Sequence, residues 1–202
     1  NCEVDNVSMA LIGRQLGLNA IITGSLDDIG ILDELRGMIW KDTHHLIQIL
    51  VSIEVFDTES GSKILDESFS RKVEIEELDY ELMRSEGKMI LPDLNETLTD
   101  LLGEIGETIC WAIEDQAWSG FVIAVEDDTL TLSAGSDAGL APGDAFDVYD
   151  TSRVLKGLSG QRYFVRGQKI GEIKITEVGA DKARAAIVTN RGIKPGSSVR
   201  VK

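Results

Sequence analysis

The sequence predicts an α+β chain in two parts: an acidic sheet covered by helices over residues 1–118, then a small β-barrel over residues 119–202. Three observations carry this. Residues 46–75 hold a long hairpin pattern, with Ile47, Ile49, Val51, Ile53 and Val55 on alternating positions of the first arm and so on one face of a strand. Leu65, Phe69, Val73 and Ile75 continue the period in the second arm. Residues 93–118 show a helical stripe, and from Ser119 onward short strand patterns alternate with turn residues. Charge changes at the same place. Residues 1–118 carry 8 Lys+Arg against 25 Asp+Glu, a balance of −17, whereas residues 119–202 carry 12 against 10, a balance of +2. Such a step suits two surfaces of different character.

Taken in order, Asp5 is an N-cap candidate for a helix over residues 5–16, and Gly17 stands where a left-handed residue closes it. Val7, Ala10 and Leu11 fall near one stripe. Residues 18–26 read as a buried strand, short and β-branched. Residues 29–40, with Gly30 and Gly37, are expected as a strand or an irregular excursion into the hairpin. Asp57, Ser60 and Gly61 supply the hairpin's turn. Residues 74–93 are acidic and punctuated by Gly87 and Pro92, so they are expected to be partly loop. The helix over 93–118 carries Leu94, Leu98, Leu101, Leu102, Ile105, Ile109 and Ala112 at steps of three and four. Asp93 and Glu96 stand at capping-box spacing behind Pro92. This helix is expected to lie across the hairpin's aliphatic face.

Six strands are expected in the barrel, at 120–125, 129–133, 144–149, 169–178, 183–188 and 197–201. In Ala141-Pro142-Gly143-Asp144 proline presets the first central residue and glycine suits the second, and Lys194-Pro195-Gly196 repeats the device.

The totals exclude several functions. With 202 residues, 43% of them hydrophobic, real cores can form. The acidic half repels phosphate backbones, which argues against nucleic acid. No stretch approaches the ~20 apolar residues of a spanning helix, and the sequence shows no cleavable signal before Asn1, from which no compartment is read. Cys110 sits in a helical pattern and reads as a small core residue, with a Cys2–Cys110 disulfide as the lesser alternative. Cys2 could serve a lipid anchor, but its neighbours form no lipobox.

Chemistry is harder to find. His44 and His45 are the only histidines, and adjacent strand residues point to opposite faces, so metal chelation by the pair is disfavoured. No G-x-S-x-G, Walker loop or strand-linked G-x-G-x-x-G occurs. The carboxylates at Asp27-Asp28, Asp33-Glu34, Glu74-Glu76-Glu77 and Glu114-Asp115 read as a solvated acidic face, with glycoside chemistry or an oxygen-bound cation as the alternative. No catalytic residue, cofactor or metal ligand is therefore assigned, and no enzyme is expected. Residues 151–171 are different. They hold no acid, while Arg153, Lys156, Arg162, Arg166 and Lys169 bring five cations around Tyr163 and Phe164, with Gly157 and Gly160 marking a loop. A solvated loop is one reading. The other is a contact surface for an acidic partner, such as the amino-terminal half of another copy.

Residues 16–26, Leu-Gly-Leu-Asn-Ala-Ile-Ile-Thr-Gly-Ser-Leu, resemble a helix-to-strand step in three groups. These are the TolB amino-terminal domain, the curli secretion-channel family and the middle domain of flagellar assembly protein T. Val55-Phe56-Asp57, Ser60-Gly61 and Ile64-Leu65 resemble the next hairpin of those domains. Residues 139–144 (Gly-Leu-Ala-Pro-Gly-Asp) and 171–178 resemble the SH3-like barrel that closes flagellar assembly protein T. The likeness covers most of the chain. It departs in two places: those domains usually open with a strand and a helix before this point, so the start of the domain is expected to lie outside the sequence, and the curli channel's amphipathic membrane-crossing hairpins are absent. What the resemblance implies is a non-enzymatic assembly or scaffolding module of the bacterial envelope. It would be periplasmic or associated with the outer membrane, working through a protein partner or self-association. The alternatives are a ligand- or peptide-binding module using the 153–169 stretch and a carboxylate-dependent hydrolase.

Overall fold

The computed structural model describes residues 5–87, 94–114, 116–158 and 160–202. It is α+β, with helices, a three-stranded sheet, a closed six-stranded barrel and a separate two-stranded ribbon. Contacts divide the chain into two units: Asn1–Ile22, Val55–Ile64 and Glu114–Lys202, and Thr23–Glu54 with Leu65–Ile113. This grouping differs from the boundary at residue 118 expected from charge. The first helix and the turn end of the long hairpin belong with the barrel, for reasons that lie in their side chains.

The first unit begins with α1 (Asn6–Leu16), whose N-cap is Asp5, accepting from the Ser8 N–H at 3.3 Å. Gly17 caps it at φ 73°, and the Leu18 N–H closes on the Gly13 carbonyl at 2.9 Å. A side chain at Gly17 would be strained by that φ, and its Cβ would lie 2.0 Å from the Ser133 carbonyl oxygen. The buried stripe is Val7, Met9, Ala10, Gly13 and Arg14. Leu11, expected on that stripe, is exposed instead.

All six expected barrel strands form: β4 (Gly120–Glu126), β5 (Thr129–Leu132), β6 (Ala145–Tyr149), β9 (Lys169–Val178), β10 (Ala183–Asn190) and β11 (Ser198–Val201). They close in the order β10-β5-β4-β11-β6-β9. Val122, Leu132, Val148, Ile173, Ala185 and Val199 fill the barrel, each at most 1% exposed. The two Pro-Gly turns close as expected: Asp144 N–H reaches the Ala141 carbonyl at 3.2 Å, and Ser197 N–H the Lys194 carbonyl at 3.1 Å. Residues 151–171 are not simply a loop. They form the antiparallel ribbon β7 (Arg153–Lys156) and β8 (Arg162–Val165), with Arg153 opposite Val165 and Lys156 opposite Arg162. The β-forming runs Val154-Leu155 and Tyr163-Phe164-Val165 drive the pairing, and the Gly157 N–H donates to the Gln161 carbonyl at 2.7 Å.

The second unit is built on the sheet β1-β2-β3, where β1 is Ala20–Arg36, β2 Asp42–Asp57 and β3 Lys63–Ile75. Only part of each strand lies in that unit. β1 continues to Arg36, and residues 37–41 are an irregular connection to β2, so both readings of residues 29–40 hold in part. Residues 18–26, expected to be buried, instead leave Leu18, Ile22 and Leu26 exposed. Within residues 74–93, expected to be partly loop, residues 77–86 form α2 (Glu77–Glu86), closed by Gly87. Its Met83 packs with Ile47, Ile49 and Ile75, and Leu94 borders the same cluster. So α2 covers the open end of the aliphatic face that the longer helix was expected to lie across.

That longer helix is α3 (Asn95–Glu114). Pro92 and Asp93, and with them the proposed capping box, lie outside the described residues, as do Cys2 and Asp115. Leu101 and Ile105 are buried, but Leu102 is 65% exposed and Cys110 is exposed, so neither is a core residue. An ion pair from Arg71 to Glu104 sets α3 beside β3. Leu101→Ala is expected to cost about 2–4 kcal/mol, whereas Leu102→Ser stays within about 0.5 kcal/mol. Urea midpoints of the two variants check this: equal losses would place both residues wrongly.

Candidate functional site

The expected contact stretch is best understood from the turn that meets it. Asp57 builds that turn, its carboxylate accepting the Glu59 N–H at 3.1 Å and the Ser60 N–H at 2.8 Å. The Gly61 N–H donates to the Asp57 carbonyl at 2.8 Å. This local chemistry aims Glu59 inward, where its side chain is only 8% exposed.

Two guanidinium groups meet it there. Arg166 donates through Nε and Nη2 to the two Glu59 carboxylate oxygens at 3.1 and 3.2 Å. Arg200 donates to the same carboxylate through Nη2 and, at 3.4 Å, through Nε. Burial alone would raise the Glu59 pKa, but hydrogen bonds from Arg200 and Arg166 outweigh it and hold the carboxyl below the usual glutamate value. A third guanidinium, Arg14 of α1, binds the backbone of the same turn. It donates to the Thr58 carbonyl at 3.0 Å and to the Glu59 carbonyl. Its planar group lies 3.9 Å from the centre of the Phe164 ring and 5.4 Å from that of Phe121. Burial pushes its pKa down to about 10, and Glu59 and Asp57 oppose that shift. It remains charged at neutral pH.

The residues expected to face a partner are divided by this arrangement. Arg162 pairs with Asp5 at 2.8 Å, and its carbonyl accepts from Asn6 at 2.6 Å. The Phe164 N–H donates to the Ser60 carbonyl at 2.8 Å. Tyr163 is half-buried opposite Leu155. Lys169 reaches Asp147 at 2.9 Å and Glu172 at 2.6 Å. With Lys202 it holds the Glu172 carboxyl down to about 2. Arg153 and Lys156 alone of the five cations are exposed without an ion pair among the described residues. The outer ribbon also shows Val154, Leu155 and Leu158 to solvent. Thus Arg162, Arg166 and Lys169 serve carboxylates of their own chain.

Glu59, Arg14 and Arg200 were not singled out from the sequence. One signal was available: Arg14 falls on the α1 stripe seven residues after Val7 and four after Ala10, so a cation stood on an apolar face.

In the second unit His44 and His45 diverge, as adjacent strand residues must. His44 Nδ1 lies 2.6 Å from Glu74, whereas His45 lies 2.7 Å from Asp33 and 3.1 Å from Glu77 and stacks on Tyr80 at 3.5 Å. Thr43, both histidines, Glu74, Glu76 and Glu77 line a shallow hollow of about 340 Å³. Some of the acids read as a solvated face are therefore histidine partners. Among the described residues no group of three or more His, Cys, Asp or Glu side chains is placed to hold a metal ion. Nor is any helix among them long and apolar enough to cross a membrane. Compared with known proteins, the chain matches no family model and no curated protein.

Proposed function

We propose that this chain is a non-enzymatic assembly module of the bacterial envelope, periplasmic or associated with the outer membrane. Its first half is read as a TolB amino-terminal-like domain and its barrel as SH3-like, in the manner of flagellar assembly protein T. The observation that carries the reading is the use made of the buried ionisable cluster around Glu59. Arg14, Glu59, Arg166 and Arg200 satisfy one another and the backbone, which is how charged groups behave when they hold a scaffold in shape. Contact with a partner then falls to the outer ribbon, where Arg153 and Lys156 flank exposed Val154 and Leu155. An acidic surface, such as the amino-terminal half of a second copy, complements that edge.

Gel filtration with light scattering tests this. Self-association is expected at low salt, weakening as salt rises, and Arg153→Glu with Lys156→Glu is expected to lower the association constant by about tenfold. A chain that is monomeric at every salt and concentration sinks the self-association reading. A second reading, a ligand-binding or hydrolytic site, draws on the hollow between His44, Glu74 and Glu77. Melting temperatures measured with divalent ions and small glycans separate the two. A ligand-dependent rise favours the hollow, and none favours the scaffold.

A further inference from the structure

Among the described residues, the connection between β1 and β2 is the most exposed apolar feature of the second unit. Met38, Ile39 and Trp40 stand side by side at 100%, 86% and 85% exposure. Three consecutive large apolar side chains in water are not a resting arrangement for a chain that needs nothing else. The backbone is shaped to present them. Gly37 turns at φ 121°, and a Cβ there would lie 1.9 Å from the Trp40 carbonyl oxygen, so only glycine allows this approach.

Charge supplies the occupant. Residues 36–41 hold two cations, Arg36 and Lys41, and no acid, inside a half of the chain whose balance is −17. A tryptophan beside exposed Met and Ile, bracketed by cations, matches the boundary where lipid phosphates meet hydrocarbon. We propose that the 37–41 turn is a contact for a phospholipid bilayer surface. Met38, Ile39 and Trp40 enter the headgroup region while Lys41 meets lipid phosphates; Arg36, held by Glu34 and Glu74 at 3.3 Å each, adds only its positive field. Glu34 and Asp42, immediately behind, limit the depth, so the contact is interfacial and not spanning. The proposal rests on the turn alone and does not depend on the scaffold reading.

Flotation with phosphatidylcholine–phosphatidylglycerol vesicles tests it on the whole chain. The wild-type protein is expected to float with the vesicles. Replacing Met38, Ile39 and Trp40 by Ser is expected to lower its partition at least about tenfold, with the melting temperature unchanged. Lys41→Glu is expected to lower it about threefold. Brominated lipid is expected to quench tryptophan emission of the intact chain, with Trp40→Phe removing most of that quenching. A wild-type chain that stays with the buffer overturns the proposal, as does a triple variant that floats equally well. If the triple variant instead abolishes a dimer in lipid-free buffer and vesicles capture neither form, the turn belongs to a second copy and the bilayer contact is refuted.

Discussion

Glu59→Ala is expected to lower the unfolding free energy by about 2–4 kcal/mol, among the largest effects of any single charge removal in this chain. The variant leaves Arg200, 20% exposed, facing a site with no anion, and Arg166 loses both of its hydrogen bonds. Arg166 is 43% exposed and recovers hydration, which keeps the loss below that of a fully buried pair. Glu59→Gln keeps the shape and some of the hydrogen bonding and is expected to lie between. The pH dependence has a definite sign. The folded-state pKa of Glu59 lies below the ordinary 4.5, so its contribution is fully present above about pH 4.5 and disappears as pH falls through the lower folded value. Urea midpoints at pH 7 and at pH 3 check both statements. The gap between wild type and Glu59→Gln is expected to narrow in acid, and a gap that stays constant would remove the carboxylate from the account.

The second large effect is expected at Phe121 of β4. It is 1% exposed, its N–H bonds the Ser133 hydroxyl at 3.1 Å, and the Arg14 guanidinium faces its ring. Phe121→Ala is expected to cost about 3–5 kcal/mol, because the cavity lies under a buried cation that loses a ring with it. Phe121→Leu restores most of the volume and is expected to recover more than half of the loss. Denaturant midpoints for the pair decide the matter. Equal losses would mean that the ring's faces matter more than its volume.

The fold was legible wherever a local rule was enough. The barrel strands announce themselves by alternation and by Pro-Gly turns, and α1 is framed by Asp5 and Gly17, two residues whose chemistry acts within one helical turn. The second helix was hidden because Leu78, Leu82 and Met83 are scattered among acids, and only burial of Met83 against Ile47, Ile49 and Ile75 reveals the stripe that matters. The amphipathic pattern of α3 overstated its burial, since Leu102 faces solvent. The candidate site was half visible. Five cations without an intervening acid could be counted in residues 151–171, but the partners of Arg162 and Arg166 could not, because Asp5 and Glu59 are distant in sequence. Composition reports that charges exist; only the fold reports which ones meet.

The clamp on Glu59 also sets a timetable. Arg166 follows it by 107 residues and Arg200 by 141. At about 5–20 residues per second, a ribosome needs roughly 7–30 s between making the acid and making its last cation. During that interval the nascent hairpin carries a lone carboxylate shaped for burial and keeps it in water. The first unit therefore locks only after synthesis has reached its final strand, while the Ile47–Ile49 cluster with Met83 can assemble earlier.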